Sequence, residues 1–284
     1  MAGFDMHIHS TASDGSLDVQ EIIDMASART ELAGIAITDH DTVAGLPRAI
    51  AYAEKLNYPL ITGIELSAEY ENYDVHILGY WIDVNKMASD DRLRRMIESR
   101  EERCRQMARR LATLGMPVAV ENVIAAAADT KRSLGRPHVA QAMVEAGYVE
   151  NLREAFSNWL GRGMPAYVPR LKLSPLEALK MVTGAGGIGV LAHPVGVPDH
   201  LVSHLVRQGL GGIEVYHCDH NRMAENKYLQ MARHYRLAAM GGSDFHLPGQ
   251  HDIGCRITSQ RQLRFLAEQR ERLQKRESIK SEQS

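Results

Sequence analysis

The chain carries little net charge, few cysteines and no long apolar run. A formal charge of −2 at pH 7 gives no overall field to draw in an anion, so an anionic substrate must meet a local basic patch. Three cysteines, Cys104, Cys218 and Cys255, are odd in number and far apart. That argues against a disulfide framework and fits a reducing compartment, and none has zinc-motif spacing. No apolar run approaches the roughly 20 residues of a membrane span, and the first residues lack the basic-then-apolar pattern of a signal peptide. A cytoplasmic protein with no membrane partner is expected, and nothing points to an obligate protein partner. There is no internal repeat. The 284 residues, 44% hydrophobic and 24% charged, suit a soluble barrel domain with one insertion.

Histidine is abundant, with thirteen in the chain. The stretch from Asp5 to Ser16 organises the rest. Phe4, Met6 and Ile8 alternate with Asp5, His7 and His9, the period of a strand, so two imidazoles share one face. Asp14, in a turn of small residues before Gly15, can reach back toward them. Asp18 opens a helix to Arg29, and a strand from Gly34 to Thr38 ends in Thr38-Asp39-His40-Asp41-Thr42. A helix from about Val43 to Leu56 leads to a strand from Pro59 to Leu66, which delivers Glu65. A fourth strand, Tyr73 to Leu78, delivers His76.

From 87 to 167 the pattern turns helical, with helices over about 88–114, 119–129, 138–147 and 151–160. This predicts a helical insertion covering the site, with 1–86 and 168–284 forming a discontinuous barrel domain. Its first helix has a seam at Leu93, Ile97, Arg100, Cys104, Met107, Leu111 and Leu114, in which Arg100 stands at an otherwise apolar position. From Arg92 to Arg110 there are eight arginines against three glutamates, a basic patch. Alternation then resumes: a helix from Pro175 to Gly184, a strand from Gly187 to Ala192 ending in His193-Pro194, and a helix near Leu201 to Gln208. A strand from Gly212 to Tyr216 and a helix near Asn221 to Tyr235 follow. The strand Leu237 to Gly241 opens into Gly242-Ser243-Asp244-Phe245-His246. A last helix spans about Gln260 to Arg276, and Glu277 to Ser284 should fray.

Seven strands interleaved with helices predict a mostly parallel α/β barrel, whose chemistry belongs at the carboxyl ends of the strands. His7, His9, Asp14, His40, Glu65, His76, His193, Asp244 and His246 all fall at or just beyond such an end. Nine ligands exceed the needs of one metal, so two or three ions are expected. Imidazole and carboxylate without thiolate suit Mn, Fe, Zn or Co, and the carboxylates favour Mn or Fe. Such clusters support hydrolysis at phosphorus.

The His7-x-His9 pair, Thr38-Asp39-His40, Glu65, His76, Ala192-His193-Pro194 and Ser243-Asp244-Phe245-His246 resemble the ordered motifs of the polymerase and histidinol phosphatase (PHP) family of the amidohydrolase superfamily. The resemblance covers nearly the whole chain. It implies a distorted (β/α)7 barrel with one metal on His7, His9, Glu65 and Asp244. A second would sit on Glu65, His76 and His193, and a third on Asp14, His40 and His246. Asp14, His40, Asp244 and His246 are thereby catalytic as well as ligating. Many members carry histidine where this chain has Asp14, an oxygen ligand that still favours Mn2+.

Arg100-x-x-Arg103, Ser133-Leu134-Gly135-Arg136-Pro137-His138, Gly161-x-Gly163 and Tyr167-Val168-Pro169 look like a narrower branch, of 3′,5′-nucleoside bisphosphate phosphatases and 5′-to-3′ exoribonucleases. That likeness implies a nucleotide substrate, such as adenosine 3′,5′-bisphosphate cleaved to the 5′-mononucleotide, or short 5′-phosphorylated oligonucleotides. Arginine forks match phosphate oxygens, making Arg100, Arg103 and Arg136 candidates for a second phosphate, with Ser133 and His138 as weaker ones. Lys131, Arg132 and Lys172 would add long-range attraction. A metal-binding module without catalysis is the competing class. Asp39 or Asp41 could orient His40 or simply cap the turn. Glu214, His217 and His220, near the sixth strand end, could support the ligands or supply a general acid, but are expected at the surface; Trp81 and Trp159 could stack a base but are expected in cores.

Overall fold

Seven strands pair in sequence order: β1 (Gly3–Asp5), β2 (Leu32–Ile37), β3 (Leu60–Tyr70), β4 (Tyr73–Tyr80), β5 (Ile188–Leu191), β6 (Gly212–Tyr216) and β7 (Ala238–Gly241). The sheet curls until its last strand meets its first, where Met6 N–H donates to Gly241 O and Ile8 bridges Phe245, giving a nearly closed barrel. This computed structural model describes residues 2–124, 134–169 and 173–282, so Lys131, Arg132, Ser133 and Lys172 lie outside the described residues.

The two-residue period of the strands sorts their side chains into layers. Ala36, Ile61, Leu78, Tyr80, Ile188, Val190, Ala238 and Met240 form an apolar plug inside the barrel. Residues of the other parity, among them Ile35, Ile37, Ile64, Leu66, Leu191 and Ile213, join the core beneath the helices. The inward face that is apolar at the bottom of the barrel becomes His40, Glu65 or His76 toward its mouth. Apolar burial thus holds the shape below, and the mouth carries the chemistry.

The outer helices are α1 (Val19–Ser27), α2 (Leu46–Leu56), α7 (Pro175–Gly184), α8 (Asp199–Arg207), α9 (Arg222–Tyr235) and α10 (Gln260–Glu282). Local sequence fixes where several begin. Asp18 accepts the N–H groups of Gln20 and Glu21 while Glu21 accepts that of Asp18, and Ser174 with Glu177 makes the same box ahead of α7.

Four expectations are corrected. First, β4 runs antiparallel to both β3 and β5. Only two residues link Tyr70 to Tyr73, too few for a parallel crossover. Glu65 and His76 therefore sit in the middle of long hairpin strands rather than at strand ends, and they reach the mouth because β4 enters from that side. Second, the alternation of the first strand does not run unbroken: Phe4 and Met6 pack on the plug, whereas Ile8 joins the outer core. Third, Cys218 and Cys255 form a disulfide between the loops after β6 and β7, which adjacent parallel strands bring together across 37 residues of sequence; Cys104 is free and buried. Fourth, α10 continues to Glu282 instead of fraying after Arg276.

Between β4 and α7 lie α3 (Val84–Ala88), α4 (Asp91–Thr113), α5 (Arg136–Glu145), α6 (Leu152–Ala155) and a π-helical turn, Phe156–Leu160. Met107, Leu111, Val139, Met143, Ala155, Leu160 and Val168 make a core distinct from the two in the barrel, with Trp159 packed against it. The α4 seam serves both bodies. Leu93 belongs to the barrel core and Cys104 onward to the second, while Leu114 is 44% exposed. Arg100 stands where the seam changes hands.

Candidate active site

Glu65 is the hub of the mouth. Its Oε2 lies 3.3 Å from His7 Nε2, 3.2 Å from His9 Nε2 and 2.9 Å from His40 Nδ1. Its Oε1 lies 2.7 Å from His76 Nδ1 and 3.0 Å from His193 Nε2. Asp244 Oδ1 faces the same two imidazoles as Oε2, 3.2 Å from His7 Nε2 and 3.1 Å from His9 Nε2. Asp14 stands to one side, with Oδ1 3.5 Å from His246 Nε2 and 3.8 Å from His9 Nδ1, and Oδ2 4.0 Å from His40 Nε2.

The backbone is shaped to bring these groups together. Asp244 adopts φ 52°, the left-handed region that costs a residue with a Cβ about 1–3 kcal/mol. The preceding Gly242 lies against β1, where a Cβ would stand 2.3 Å from His7 Cβ. The loop carrying Asp14 is pinned by Asp39, which accepts Ser10 N–H, Ser10 O–H and Ser13 O–H at 2.8, 2.7 and 2.6 Å. Asp41 accepts Ser67 N–H at 2.7 Å. Asp39 thus fixes the Asp14 loop, and Asp41 ties the loop after β2 to β3.

The donor set fits divalent cations. His7 Nε2, both nitrogens of His9, Asp14 Oδ1, His40 Nδ1 and Glu65 Oε2 are buried without a hydrogen bond, although a buried unsatisfied polar atom ordinarily costs about 1–3 kcal/mol. They converge in three groups whose donor atoms all lie within 4.8 Å of one another: His9, Asp14, His40 and His246; His7, His9, Glu65 and Asp244; and His40, Glu65 and His76. His193 joins none of them, despite its contact with Glu65.

Electrostatics agrees with that fit. Burial alone would push the His9 imidazole down, but contacts with Asp244 and Glu65 outweigh it and hold it up at about 10. Burial opposes ionisation of Glu65 too, yet His40, His76 and His7 keep it well below the usual carboxylate range. Asp244 is likewise held low, against burial, by His7, His217 and His9. His76 is the exception, pushed by burial down to about 4. Protonated imidazoles balance the carboxylates here, a charge that a divalent cation would supply instead.

A cavity of about 270 Å³ opens from this cluster, lined by Asp14, His40 and His76 on one side and by Arg100, Arg103, Arg136, Arg162, Phe156 and Tyr167 on the other. The arginines differ in their ties. Arg100 is buried, donates to Leu134 O at 2.8 Å and pairs with Asp41. Arg103 Nε donates to Val168 O at 2.7 Å. Arg136 lies over the rings of Phe156 and Tyr167, 5.5 and 5.9 Å from their centroids, and has no hydrogen bond or ion pair from its guanidinium among the described residues. His138 Nδ1 accepts Gly135 N–H at 3.2 Å, within the cap of α5. Several solvent-facing arginines of α4 meet acids, Arg92 with Asp90, Arg94 with Asp91, Arg105 with Glu121 and Arg109 with Glu102, whereas Arg110 donates to Tyr167 O.

Sequence reasoning misplaced or passed over several members. Glu214, His217 and His220, expected at the surface, are 1%, 2% and 4% exposed. Glu214 Oε1 lies 3.1 Å from His7 Nδ1 and its Oε2 accepts His193 N–H at 2.8 Å. Its inward parity with Gly212, two residues back, was a readable signal. Arg162 sits between the glycines of Gly161-x-Gly163, a segment recognised for its glycines alone.

The PHP domain model matches residues 5–160. A 3′,5′-nucleoside bisphosphate phosphatase from Chromobacterium violaceum is 36% identical over 262 residues, 89% of this chain and 91% of the relative. The 5′-3′ exoribonuclease Rnm of Salmonella typhimurium is 34% identical over 254 residues, covering 86% of this chain and 85% of its own. A solved structure described as a metal-dependent phosphoesterase, from Bifidobacterium adolescentis, superposes with a TM-score of 0.85 at 29% identity, covering 94% of this chain and 96% of that one. With the imidazole and carboxylate cluster at the mouth of the same barrel, these likenesses place the chain in the PHP domain family.

Proposed function

We propose that the protein is a metal-dependent phosphatase that hydrolyses nucleoside 3′,5′-bisphosphates, such as adenosine 3′,5′-bisphosphate, to the 5′-mononucleotide and phosphate. The observation that carries this reading is one cavity with two unlike walls, a candidate metal-ligand cluster facing Arg136, whose guanidinium has no hydrogen bond or ion pair among the described residues. The Chromobacterium relative supports the substrate class. His7, His9, Asp14, His40, Glu65, His76, His193, Asp244 and His246 would hold two or three ions, Mn2+ in our reading, with Fe, Zn or Co as alternatives. Such ions, when bound, neutralise phosphoryl oxygens and acidify an attacking water.

The chain's own part is positioning. Asp14, His40, Asp244 and His246 surround the reacting 3′-phosphate, while the Arg136 fork holds the 5′-phosphate, its plane kept in place by Phe156 and Tyr167. Arg103 completes that wall in this reading, His138 caps the helix that presents Arg136, and Arg100 fixes the wall to the barrel. Water attacks phosphorus, the bond to the 3′ oxygen breaks, and the departing oxygen takes a proton. The segment 87–167 acts as a specificity domain inserted into the barrel of 1–86 and 168–284. A cytoplasmic location belongs to the same reading; among the described residues no helix is long and apolar enough to cross a membrane.

The exoribonuclease relative supports a second reading, 5′-to-3′ cleavage of short 5′-phosphorylated RNA. Phosphate release from adenosine 3′,5′-bisphosphate by Mn-loaded protein, beside 5′-AMP, 3′-AMP and a 5′-phosphorylated oligoribonucleotide, separates the two. Fast turnover of the bisphosphate with both monophosphates spared is expected. Nucleotide release from the oligomer at an equal or higher rate would make the protein a nuclease.

A further inference from the structure

Among the described residues, β6 is the one barrel strand whose mouth end carries none of the nine candidate ligands. It ends instead in two buried ionisable side chains, Glu214 and His217, 1% and 2% exposed. Neither belongs to any of the three convergent donor groups. We infer that the end of β6 supports the metal centre, with Glu214 and His217 as positioning residues that fix the donor atoms of His7, His193 and Asp244. The inference rests on the metal-dependent reading of the site.

Glu214 ties two ligands from different strands. Its Oε1 lies 3.1 Å from His7 Nδ1, and its Oε2 accepts the backbone N–H of His193 at 2.8 Å. A carboxylate acceptor at Nδ1 places the ring proton there and turns the lone pair of Nε2 toward Glu65 and Asp244. His217 acts on the third ligand. Its Nδ1 accepts Asp219 N–H at 3.1 Å, so the proton of a neutral ring sits on Nε2, 3.4 Å from Asp244 Oδ2. That buried Nε2 has no hydrogen-bond partner, and the carboxylate oxygen that faces it at ion-pair distance is Asp244 Oδ2. Held at Oδ2, Asp244 keeps Oδ1 turned toward His7 and His9.

A β-bulge aims the histidine. The register against β7 slips between Glu214 and Tyr216, and Val215 and Tyr216 both pack in the outer core. In an unbroken strand His217 would share the outward face of Val215; the extra residue returns it to the mouth.

The test is Mn2+ binding to the full chain, measured by chelator competition at fixed pH, with metal per chain and melting of the metal-free protein as companions. Glu214→Gln keeps the volume but offers one acceptor for two donors, and His217→Phe keeps a ring without a donor. His217→Gln can restore an N–H toward Asp244. Expected are a roughly 10–100-fold weaker site for Glu214→Gln, about tenfold for His217→Phe, and recovery to within about threefold in His217→Gln, with metal-free melting little changed. Binding within about twofold of wild type in both Glu214→Gln and His217→Phe would overturn the inference. Should Glu214→Gln not fold, the two His217 variants decide: a loss that glutamine fails to recover would mean packing and not positioning. Wild-type protein that binds Mn2+ yet turns over no phosphoester would sink the proposed function while leaving these binding results to stand.

Discussion

The barrel mouth and the helical segment that faces it hold their polar groups in opposite ways. At the mouth each ligand is fixed by several others: Glu65 alone meets five imidazoles, and Asp39 pins the loop of Asp14 through three hydrogen bonds. The facing segment has its own apolar core, and buried Arg100, paired with Asp41, ties it to the barrel. Arg136, on the cavity wall, rests on aromatic faces. In the proposed reading chemistry belongs to the barrel mouth, where a small displacement costs most, and recognition to a segment that can change without disturbing the candidate ligands.

The sharpest way to break the comparison is at the hub. Glu65→Gln should lower turnover about a thousandfold or more and strip bound metal, because one side chain serves most of the donor groups. Retained metal at wild-type level, read by elemental analysis beside phosphate release, would show that the groups do not depend on a common carboxylate. Next comes the tie. Arg100→Leu leaves Asp41 buried beside an apolar side chain and should destabilise the protein by about 3 kcal/mol, seen as a lower denaturant midpoint. Metal affinity in the folded fraction should change little, and a parallel loss of metal would merge the two regions into one unit. The smallest effect belongs to the wall. Arg136→Ala should reduce kcat/KM for the bisphosphate about 10–100-fold, the worth of charged hydrogen bonds to one phosphate, with metal content and melting unchanged. Equal losses on a substrate with a single phosphate would remove Arg136 from recognition of the second.

Much of this was legible along the chain because the controlling interactions are periodic or local. Strand parity marks Ala36 and His40, or Ile61 and Glu65, as one inward face, and capping residues such as Asp18 and Ser174 announce the helices that follow. The antiparallel β4 was readable in principle from the two-residue link after Tyr70, yet the regular alternation of strands and helices masked it. His7, His9, His40, Asp244 and His246 stood out because ligand chemistry demands particular residue types at strand ends.

Other features depended on relations that no local pattern encodes. Arg100 interrupts an apolar seam, and its partners there, Asp41, 59 residues away, and the Leu134 carbonyl, come from segments that the seam does not reveal. Cys218 meets Cys255 because β6 and β7 are neighbours in space. His217 was expected at the surface because it lies just beyond the sixth strand, and the bulge that turns it into the mouth exists only in the pairing with β7. The sequence by itself determined the barrel, the family and the ligand types, which follow from side-chain chemistry and short-range periodicity. Only the tertiary structure decided which groups lie against the candidate ligands and which cavity arginine has no partner among the described residues, because both depend on distances between segments far apart in the chain.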